Sequence, residues 1–258
     1  MKVRKVRQKR GWAIDLGVVI LKPTLFATTR RTWVDGEKIP AEGGCIVVVN
    51  HVSHADPLLT ALFVYDHGRI PRYLAKSGLF RKKLLATYLT AAGQIPVERL
   101  SRTAIGAYDA AVAAVREGEC VVVYPEGTLT RDPGLWPMSG KSGAARIALE
   151  TGCPVIPVAH WGVQEILPPY SARPRLFPRR RVTMKAGDPV DLDDLIGKGR
   201  STEAINQATA RIMDSLTALV AELRGESAPA ERFDPRRMGV HQIGNPNQRK
   251  PRKKKDEA

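Results

Sequence analysis

Cysteine is scarce in this chain of 258 residues. The three cysteines are Cys45, Cys120 and Cys153, and each lies in or beside an apolar, strand-like segment without a C-x-x-C pair or a histidine at zinc-ligand spacing. This distribution argues against a disulfide framework and predicts free, buried thiols in a reducing compartment. Cys120 as an acyl-carrying nucleophile is the sharper alternative, but it opens the apolar run Val121–Val123, which favours a core position.

The chain also lacks an apolar run long enough to cross a bilayer. Its most apolar segment, residues 12–21, contains Asp15 and is followed by Lys22 and Pro23, so it falls well short of the roughly 20 residues required. No small-residue cleavage site follows Leu21, and we therefore expect no cleaved signal peptide. The sequence shows no internal repeat.

Acidic residues are too few to balance the basic ones, with 26 Asp and Glu against 41 Lys and Arg and a net charge of +15. Six basic residues lie within residues 1–10 and six within 249–255, which leaves +3 for the rest. The first group precedes Trp12 and the apolar segment, a combination typical of an interfacial helix on an anionic membrane surface. A helix packed on its own domain is the alternative. We expect a peripheral protein at the cytoplasmic face of a membrane, with no nucleic acid partner.

Strand-like and helix-like segments alternate along the middle of the chain. This alternation predicts an α/β fold with a mixed, mainly parallel central sheet covered by helices on both faces, preceded by an N-terminal amphipathic helical segment. The predicted strands are 45–49, 70–75, 94–97, 120–124, 154–159 and 181–186, and the predicted helices are 57–66, 79–90, 102–116, 141–150 and a helix to residue 224 capped by Ser201.

Three parts are expected along the chain. Residues 1–30 form a basic arm and membrane-surface helices broken at Pro23, and residues 31–224 form the globular domain. Residues 225–258, which are poor in apolar side chains, form a disordered basic tail.

The most informative segment is 47–57, where a β-branched run ends in Asn-His and an Asp-Pro pair then begins an apolar helix. A histidine that acts as a general base needs one ring nitrogen free and a carboxylate on the other, and His51 and Asp56 can form that pair. The alternative is that Asp56 only caps the helix while His51 is a loop residue. His160 and Glu165 have the same spacing, so spacing alone does not decide.

Three further blocks follow: Gly-Gln-Ile-Pro-Val-Glu-Arg from Gly93, Tyr-Pro-Glu-Gly-Thr from Tyr124, and Val-Ile-Pro-Val from Val155. Together with Asn-His-x-Ser-x-x-Asp from Asn50, they resemble the four blocks of the glycerolipid acyltransferase family, which includes 1-acylglycerol-3-phosphate acyltransferases. The resemblance extends from about Gly43 to Val190. It implies an acyltransferase domain within residues 31–224.

The resemblance implies a reaction and its substrates. His51 would deprotonate a hydroxyl of a glycerol-phosphate lipid precursor, which attacks the thioester of acyl-CoA without an acyl-enzyme, and Asp56 would orient His51. Acyl-CoA is then a co-substrate, and no cofactor or metal is needed. His54 also lies near Asp56 in sequence and could compete for it, although the family pattern favours His51.

The family pattern also assigns residues to the acceptor phosphate. A guanidinium suits a phosphate because its planar fork donates two parallel hydrogen bonds, and Gly127 permits close backbone approach. Glu126 is unsuited to an anion and more naturally fixes its loop. The candidate phosphate-binding residues are Arg99, Glu126, Gly127, Thr128, Arg131 and Lys76.

One departure from the pattern concerns an arginine. The family has Arg directly after Pro-Glu-Gly-Thr, whereas here Leu129 and Thr130 intervene before Arg131. The acceptor therefore stays open between 1-acylglycerol-3-phosphate, glycerol-3-phosphate itself and a larger glycophospholipid.

Lys141 also resembles a family position, although a solvated surface charge is the favoured interpretation. From a different class, a non-catalytic membrane or nucleic-acid binder is the remaining alternative.

Overall fold

Seven strands form one sheet at the centre of the protein. The structure, a computed structural model, describes residues 3–97, 104–199 and 201–240. The sheet has the order β1-β7-β6-β2-β5-β3-β4, and all neighbouring strands are parallel except β6 and β7. The strands are β1 (Thr29–Val34), β2 (Cys45–Val49), β3 (Pro71–Lys76), β4 (Ile95–Val97), β5 (Cys120–Val123), β6 (Val155–Trp161) and β7 (Arg180–Ala186).

Helices cover both faces of this sheet, as the sequence predicts. Strand β2 shows why: its five residues are fully buried, with Val47 facing the cluster that contains Leu59 and Phe63, and Val48 facing the cluster that contains Ile147 and Ile205. A strand buried on both sides needs the continuous apolar run that this sequence has. The helices are α1 (Trp12–Thr28), α2 (Asp56–Asp66), α3 (Lys83–Ala91), α4 (Ala104–Arg116), α5 (Gly143–Thr151), α6 (Val163–Ile166) and α7 (Thr202–Arg224).

The topology brings several chain segments to one edge of the sheet. Strands β2, β5 and β6 are parallel and end at this edge, which we call the carboxyl edge. Strand β7 is antiparallel to β6, and β1 is parallel to β7, so β1 and β7 begin there. The loop after β2 and the loop after β5 therefore leave the sheet side by side.

The N-terminal arm packs on the opposite edge. The side chain of Gln8 donates to Glu119 at 2.9 Å and accepts from the backbone of Ile70 at 3.1 Å, and these partners directly precede β5 and β3. The guanidinium of Arg7 lies 2.6 Å from Glu42. Contact of this arm with a membrane stays a prediction.

Helix α1 differs from the sequence expectation because it runs unbroken through Pro23. The proline removes one backbone donor, and the hydroxyl of Thr24 donates to the carbonyl of Ile20 at 2.7 Å within the same turn. The large apolar side chains that α1 exposes recur along one side, and Asp15 and Thr24 are also exposed. The apolar ones are Trp12, Leu16, Val19, Ile20 and Phe26. Among the described residues, no helix combines the length and apolar character needed to cross a membrane.

Two other segments also differ from expectation. Strand β1 was not predicted, because it is an edge strand whose exposed Arg30 and half-buried Arg31 hide the alternation. The tail was expected to be disordered from residue 225, but the carbonyl of Phe233 accepts from the backbone of Ser139 at 2.9 Å, and Arg232 lies 2.5 Å from Asp214. The tail therefore packs on the domain at least as far as these contacts. Residues 241–258 lie outside the described residues.

Candidate active site

His51 and Asp56 form a hydrogen-bonded pair at the carboxyl edge. The His51 Nδ1–H donates to Asp56 Oδ2 at 2.9 Å, and the backbone N–H groups of Val52 and Ser53 donate to the same oxygen at 2.7 and 2.8 Å. Asp56 is the first residue of α2, and Ala55 occupies the cap position without a side-chain bond. The predicted capping role of Asp56 is therefore wrong: its carboxylate turns back to the loop and orients His51.

The carboxyl group of Asp56 is ionised despite complete burial. Burial alone would raise its pKa, but the charge of His160, its hydrogen bond and those of His51 outweigh this effect and lower the pKa to about 2. Because Nδ1 of His51 is engaged by an anion, Nε2 is the nitrogen available to the adjoining cavity. Within the described residues, that nitrogen makes no hydrogen bond.

His160 is a second histidine at this carboxylate, and sequence reasoning missed its role. It is fully buried at the end of β6, where Nε2 lies 3.5 Å from Asp56 Oδ2 and 2.9 Å from the carbonyl oxygen of Asn50. The side chain of Asn50 bonds both backbone groups of His160, at 2.9 and 3.1 Å. Glu165, at the suggestive spacing, is exposed on α6. The usable signal was that a polar residue stands at the end of each apolar strand, since Asn50 directly follows β2 and His160 is the next-to-last residue of β6.

Glu126 lies beneath His51 and does not line the cavity. Its two carboxyl oxygens accept from the backbone N–H of His51 at 2.9 Å and of Met138 at 3.2 Å. Burial raises the pKa of Glu126 to about 8, although these two hydrogen bonds oppose the shift. The side chain thus joins the loop after β2 to the loop after β5.

The loop after β5 supplies the other wall of the site. The ring of Tyr124 stacks on His51 with 4.3 Å between the ring centroids. Gly127 has φ +71°, and a Cβ atom there would stand 2.8 Å from Nζ of Lys141. Glycine is required at this point by both the backbone and the ammonium group. Thr128 and Lys141 line the same cavity, and Lys141, which was expected to be a surface charge, is exposed there.

Of the remaining predicted residues, some line the cavity and others do not. Lys76 lines the cavity. Arg131 is only 9% exposed and does not line it; its guanidinium donates to the hydroxyl of Tyr170 and lies 4.9 Å from that ring centroid. His54, exposed at the loop, stands edge-on to the same tyrosine. Arg99 lies outside the described residues.

A cavity of about 970 Å³ extends from His51 between three helices. Its lining includes the cationic and polar residues Lys76, Thr128 and Lys141. The walls that the helices contribute are mainly apolar, with Lys22 of α1, paired with Asp66 at 2.8 Å, as a cationic exception. The apolar residues include Val18 and Leu21 of α1, Leu58, Ala61 and Leu62 of α2, and Leu89 of α3. Such a space suits a ligand with an anionic head and a long hydrocarbon tail.

The sequence model of a family described as Acyltransferase matches residues 31–161, about half of the chain. The chain belongs to this acyltransferase family. The match contains all the candidate residues of the site: His51, Asp56, Lys76, Arg99, Glu126, Gly127, Thr128, Arg131, Lys141 and His160. Helix α1, which lines the apolar part of the cavity, precedes the matched range.

Among its relatives are three 1-acyl-sn-glycerol-3-phosphate acyltransferases. The chain is 35% identical to that of Borreliella burgdorferi over 140 residues, which cover 54% of each protein. It is 31% identical to a chloroplastic one from Brassica napus over 54% of this chain and 39% of that protein. It is 26% identical to that of Bacillus subtilis over 71% of this chain and 88% of that protein. The chain thus spans about half or less of the first two relatives.

The fold has a solved counterpart in the 1-acyl-sn-glycerophosphate acyltransferase of Thermotoga maritima. The two chains superpose with a TM-score of 0.61, at 23% identity, over 84% of each. This likeness confirms the α/β fold with a mixed, mainly parallel sheet. It extends beyond the matched acyltransferase range.

Proposed function

We propose that the chain transfers an acyl group from acyl-CoA to the free hydroxyl of 1-acyl-sn-glycerol-3-phosphate, which yields phosphatidic acid. One observation carries this proposal. The His51–Asp56 pair, joined at 2.9 Å, stands beside a mainly apolar cavity whose lining also includes Lys76 and Lys141. Acyltransferase family membership and the names of the relatives support the same reaction.

In this proposal His51 is the general base. Its Nε2 takes the proton of the acceptor hydroxyl as the hydroxyl oxygen attacks the thioester carbonyl carbon. The anionic carboxylate of Asp56 keeps the Nδ1–H tautomer and stabilises the imidazolium that forms. When the C–S bond breaks, the thiolate leaves with the proton held by His51, so the enzyme is restored without a covalent intermediate.

The thioester oxygen becomes an oxyanion and needs hydrogen-bond donors. The backbone N–H of Thr128 is a candidate because it lies on the cavity wall and makes no hydrogen bond with a described residue. The backbone N–H of Gly127 is already engaged by the carbonyl of Tyr124 at 2.9 Å. We therefore assign the oxyanion contact to Thr128.

Lys76 and Lys141 are proposed to bind the acceptor phosphate, together with Arg99 as the sequence pattern suggests. Both lysines line the cavity beside His51, and Gly127 leaves the space that Lys141 occupies. Glu126 is proposed to fix the loop that carries His51 and not to touch the phosphate, because its carboxyl oxygens bond two backbone amides.

The acceptor and the acyl chain are both lipids, so the site must meet a membrane surface. The exposed apolar side of α1, with Val19 at 70% and Trp12 at 57% exposure, adjoins the helix face that lines the cavity. Leu84 of α3, at 89% exposure, extends this apolar surface. We propose peripheral contact with an anionic membrane through α1 and α3.

The decisive experiment uses the purified chain in neutral detergent with acyl-CoA and 1-acyl-sn-glycerol-3-phosphate, with products identified by mass spectrometry. Phosphatidic acid should form, and His51→Ala should abolish it while preserving the unfolding midpoint. A parallel reaction with an acyl carrier protein thioester tests the donor. Normal transfer by His51→Ala would exclude the proposed mechanism.

A larger glycophospholipid acceptor is the second candidate, favoured by the position of Arg131. This residue is turned into the protein against Tyr170 and does not line the cavity, whereas Lys76 and Lys141 do. Competition between 1-acyl-sn-glycerol-3-phosphate, glycerol-3-phosphate and lysophospholipids with larger head groups would separate these acceptors. The acceptor with the highest kcat/KM is the substrate.

A further inference from the structure

A cluster of arginines lies at the carboxyl edge of the sheet, where β1 and β7 begin. The register places Arg30 of β1 opposite Arg181 of β7, and the loop before β7 adds more arginines. Because the carboxyl edge also carries the loop of His51, the cluster and the candidate active site share one side of the molecule. The arginine cluster consists of Arg30, Arg31, Arg173, Arg175, Arg179 and Arg181.

Among the described residues, no acidic side chain forms an ion pair with this cluster. Residues 16–34 and 166–184 contain no acidic residue, and none of the six guanidinium groups lies in a salt bridge with a described residue. By contrast, Arg7 and Arg10 of the N-terminal arm both have acidic partners. Within the part of the chain that the structure describes, the arginine cluster is therefore well placed to attract an external anion.

Two of the arginines attach the cluster to α1. The guanidinium of Arg179 donates to the carbonyls of Phe26 and Thr29 at 2.8 Å each, where a cation suits the end of the helix. The guanidinium of Arg31 lies 3.5 Å from the ring centroid of Phe26. The other four are exposed, and their side chains make no hydrogen bond with a described residue: Arg30, Arg173, Arg175 and Arg181.

Apolar side chains lie among these arginines. Leu176 and Phe177 are 38% and 72% exposed in the loop between Arg175 and Arg179. Phe26, under Arg31, is 41% exposed and belongs to the apolar side of α1. A nucleic acid would use the cations and could stack on the phenylalanines, but it would gain nothing from Leu176 or from Val19 and Ile20 on the same apolar side of α1. The interface of a bilayer offers both phosphates and hydrocarbon.

We propose that the arginine cluster is a docking surface for an anionic lipid bilayer, in which the guanidinium groups bind lipid phosphates and Leu176 and Phe177 enter the interface. The surface holds the carboxyl edge, and with it the cavity, against the membrane. This inference rests on the proposed function, since it assigns the residues that bring the site to a lipid acceptor. It is distinct from the N-terminal arm, which packs at the opposite edge.

Binding to sedimented vesicles of phosphatidylcholine, with and without phosphatidylglycerol, tests the docking surface. The variant R173Q/R175Q/R181Q should bind anionic vesicles at least about tenfold less tightly than the wild-type chain, since each basic residue near such a surface contributes roughly fivefold. The matched control K198Q/R236Q/R237Q removes three exposed charges elsewhere and should bind like the wild type. Phe177→Ala should weaken binding to both kinds of vesicle.

Equal binding of R173Q/R175Q/R181Q and wild type would overturn the proposal. So would wild-type binding to a single-stranded RNA probe without binding to anionic vesicles. Acyl transfer in neutral detergent separates this inference from the proposed function: R173Q/R175Q/R181Q should keep wild-type kcat there, which also shows that it folds. If the wild type transfers no acyl group in detergent, the proposed function fails while the vesicle result still decides the docking surface.

Discussion

His160 Nε2 lies 3.5 Å from the oxygen of Asp56 that accepts the hydrogen bond of His51 Nδ1. One carboxylate oxygen thus serves two histidines, one fully buried and one on the cavity wall. The buried histidine also bonds the carbonyl of Asn50 at 2.9 Å, which fixes its Nε2 as the protonated nitrogen. In the proposed mechanism, His160 would therefore act only through Asp56, as a positioning residue.

Replacing His160 tests this relationship. His160→Leu removes the donor near a buried carboxylate, and a hydrogen bond to a charged group is worth roughly 1.5–3 kcal/mol. We expect kcat to fall about tenfold or more, with the acceptor KM unchanged, because the residue does not touch substrate. His160→Gln retains an N–H donor of similar reach and should restore much of kcat. Equal loss in both variants would indicate a packing role instead, and urea unfolding of both would reveal it.

The raised pKa of Glu126 predicts a pH-dependent stability. Its pKa is about 8 in the folded chain, against 4.5 ordinarily, so the folded state holds a proton that the unfolded state loses. The unfolding free energy that this group contributes therefore decreases with pH. It is complete below about pH 4.5 and is lost as the pH rises toward 8. Relative to Glu126→Gln, which cannot titrate, the wild type should lose up to about 1.4 kcal/mol of unfolding free energy per pH unit.

Urea unfolding of both proteins at pH 5, 6, 7 and 8 measures this difference. Other titrating groups, such as His54 and His67, are common to the two proteins and cancel. A difference in unfolding free energy that stays constant over these four pH values would contradict the prediction.

Gly127→Ala should damage both stability and acceptor binding. The residue has φ +71°, so a side chain there costs roughly 1–2 kcal/mol. The added Cβ would lie only 2.8 Å from Nζ of Lys141 and would therefore push the ammonium group away. We expect acceptor KM to rise severalfold. Gly225→Ala is the matched control, because Gly225 has φ +65° with no atom within 4 Å of the added Cβ. It should lose similar stability but keep the acceptor KM of the wild type. A wild-type KM in Gly127→Ala would show that Lys141 does not bind the acceptor phosphate.

The predictable part of this fold is the part written in local patterns. The continuous apolar run of β2 and the cap of α7, where Ser201 accepts from the backbone of Ala204, are properties of neighbouring residues. Strand β1 was not predicted because its pairing with β7 joins segments about 150 residues apart. Its two arginines, one exposed and one half-buried, also hide the alternation that a strand shows.

The candidate site also has one part that could be predicted from the sequence and another that could not. His51 and Asp56 are five residues apart in one loop, so their pairing could be inferred from spacing and chemistry. The position of His160 depends on β6 lying beside β2 in the sheet, which spacing does not encode. The inward turn of Arg131 depends on the side chain of Tyr170, and the cavity exists only because α1 packs against α2 and α3.

The apolar part of that cavity predicts how the chain selects acyl length. Ala61 of α2 lines it, and Ala61→Leu would reduce the space for the acyl chain. We expect kcat/KM to fall strongly for long acyl-CoA substrates and to change less than about twofold for short ones, since one pocket methylene is worth roughly 1–3 kcal/mol. Val19→Leu is the control, since Val19 is 70% exposed on α1. It should leave the profile unchanged. A uniform loss across acyl lengths in Ala61→Leu would place the acyl chain elsewhere.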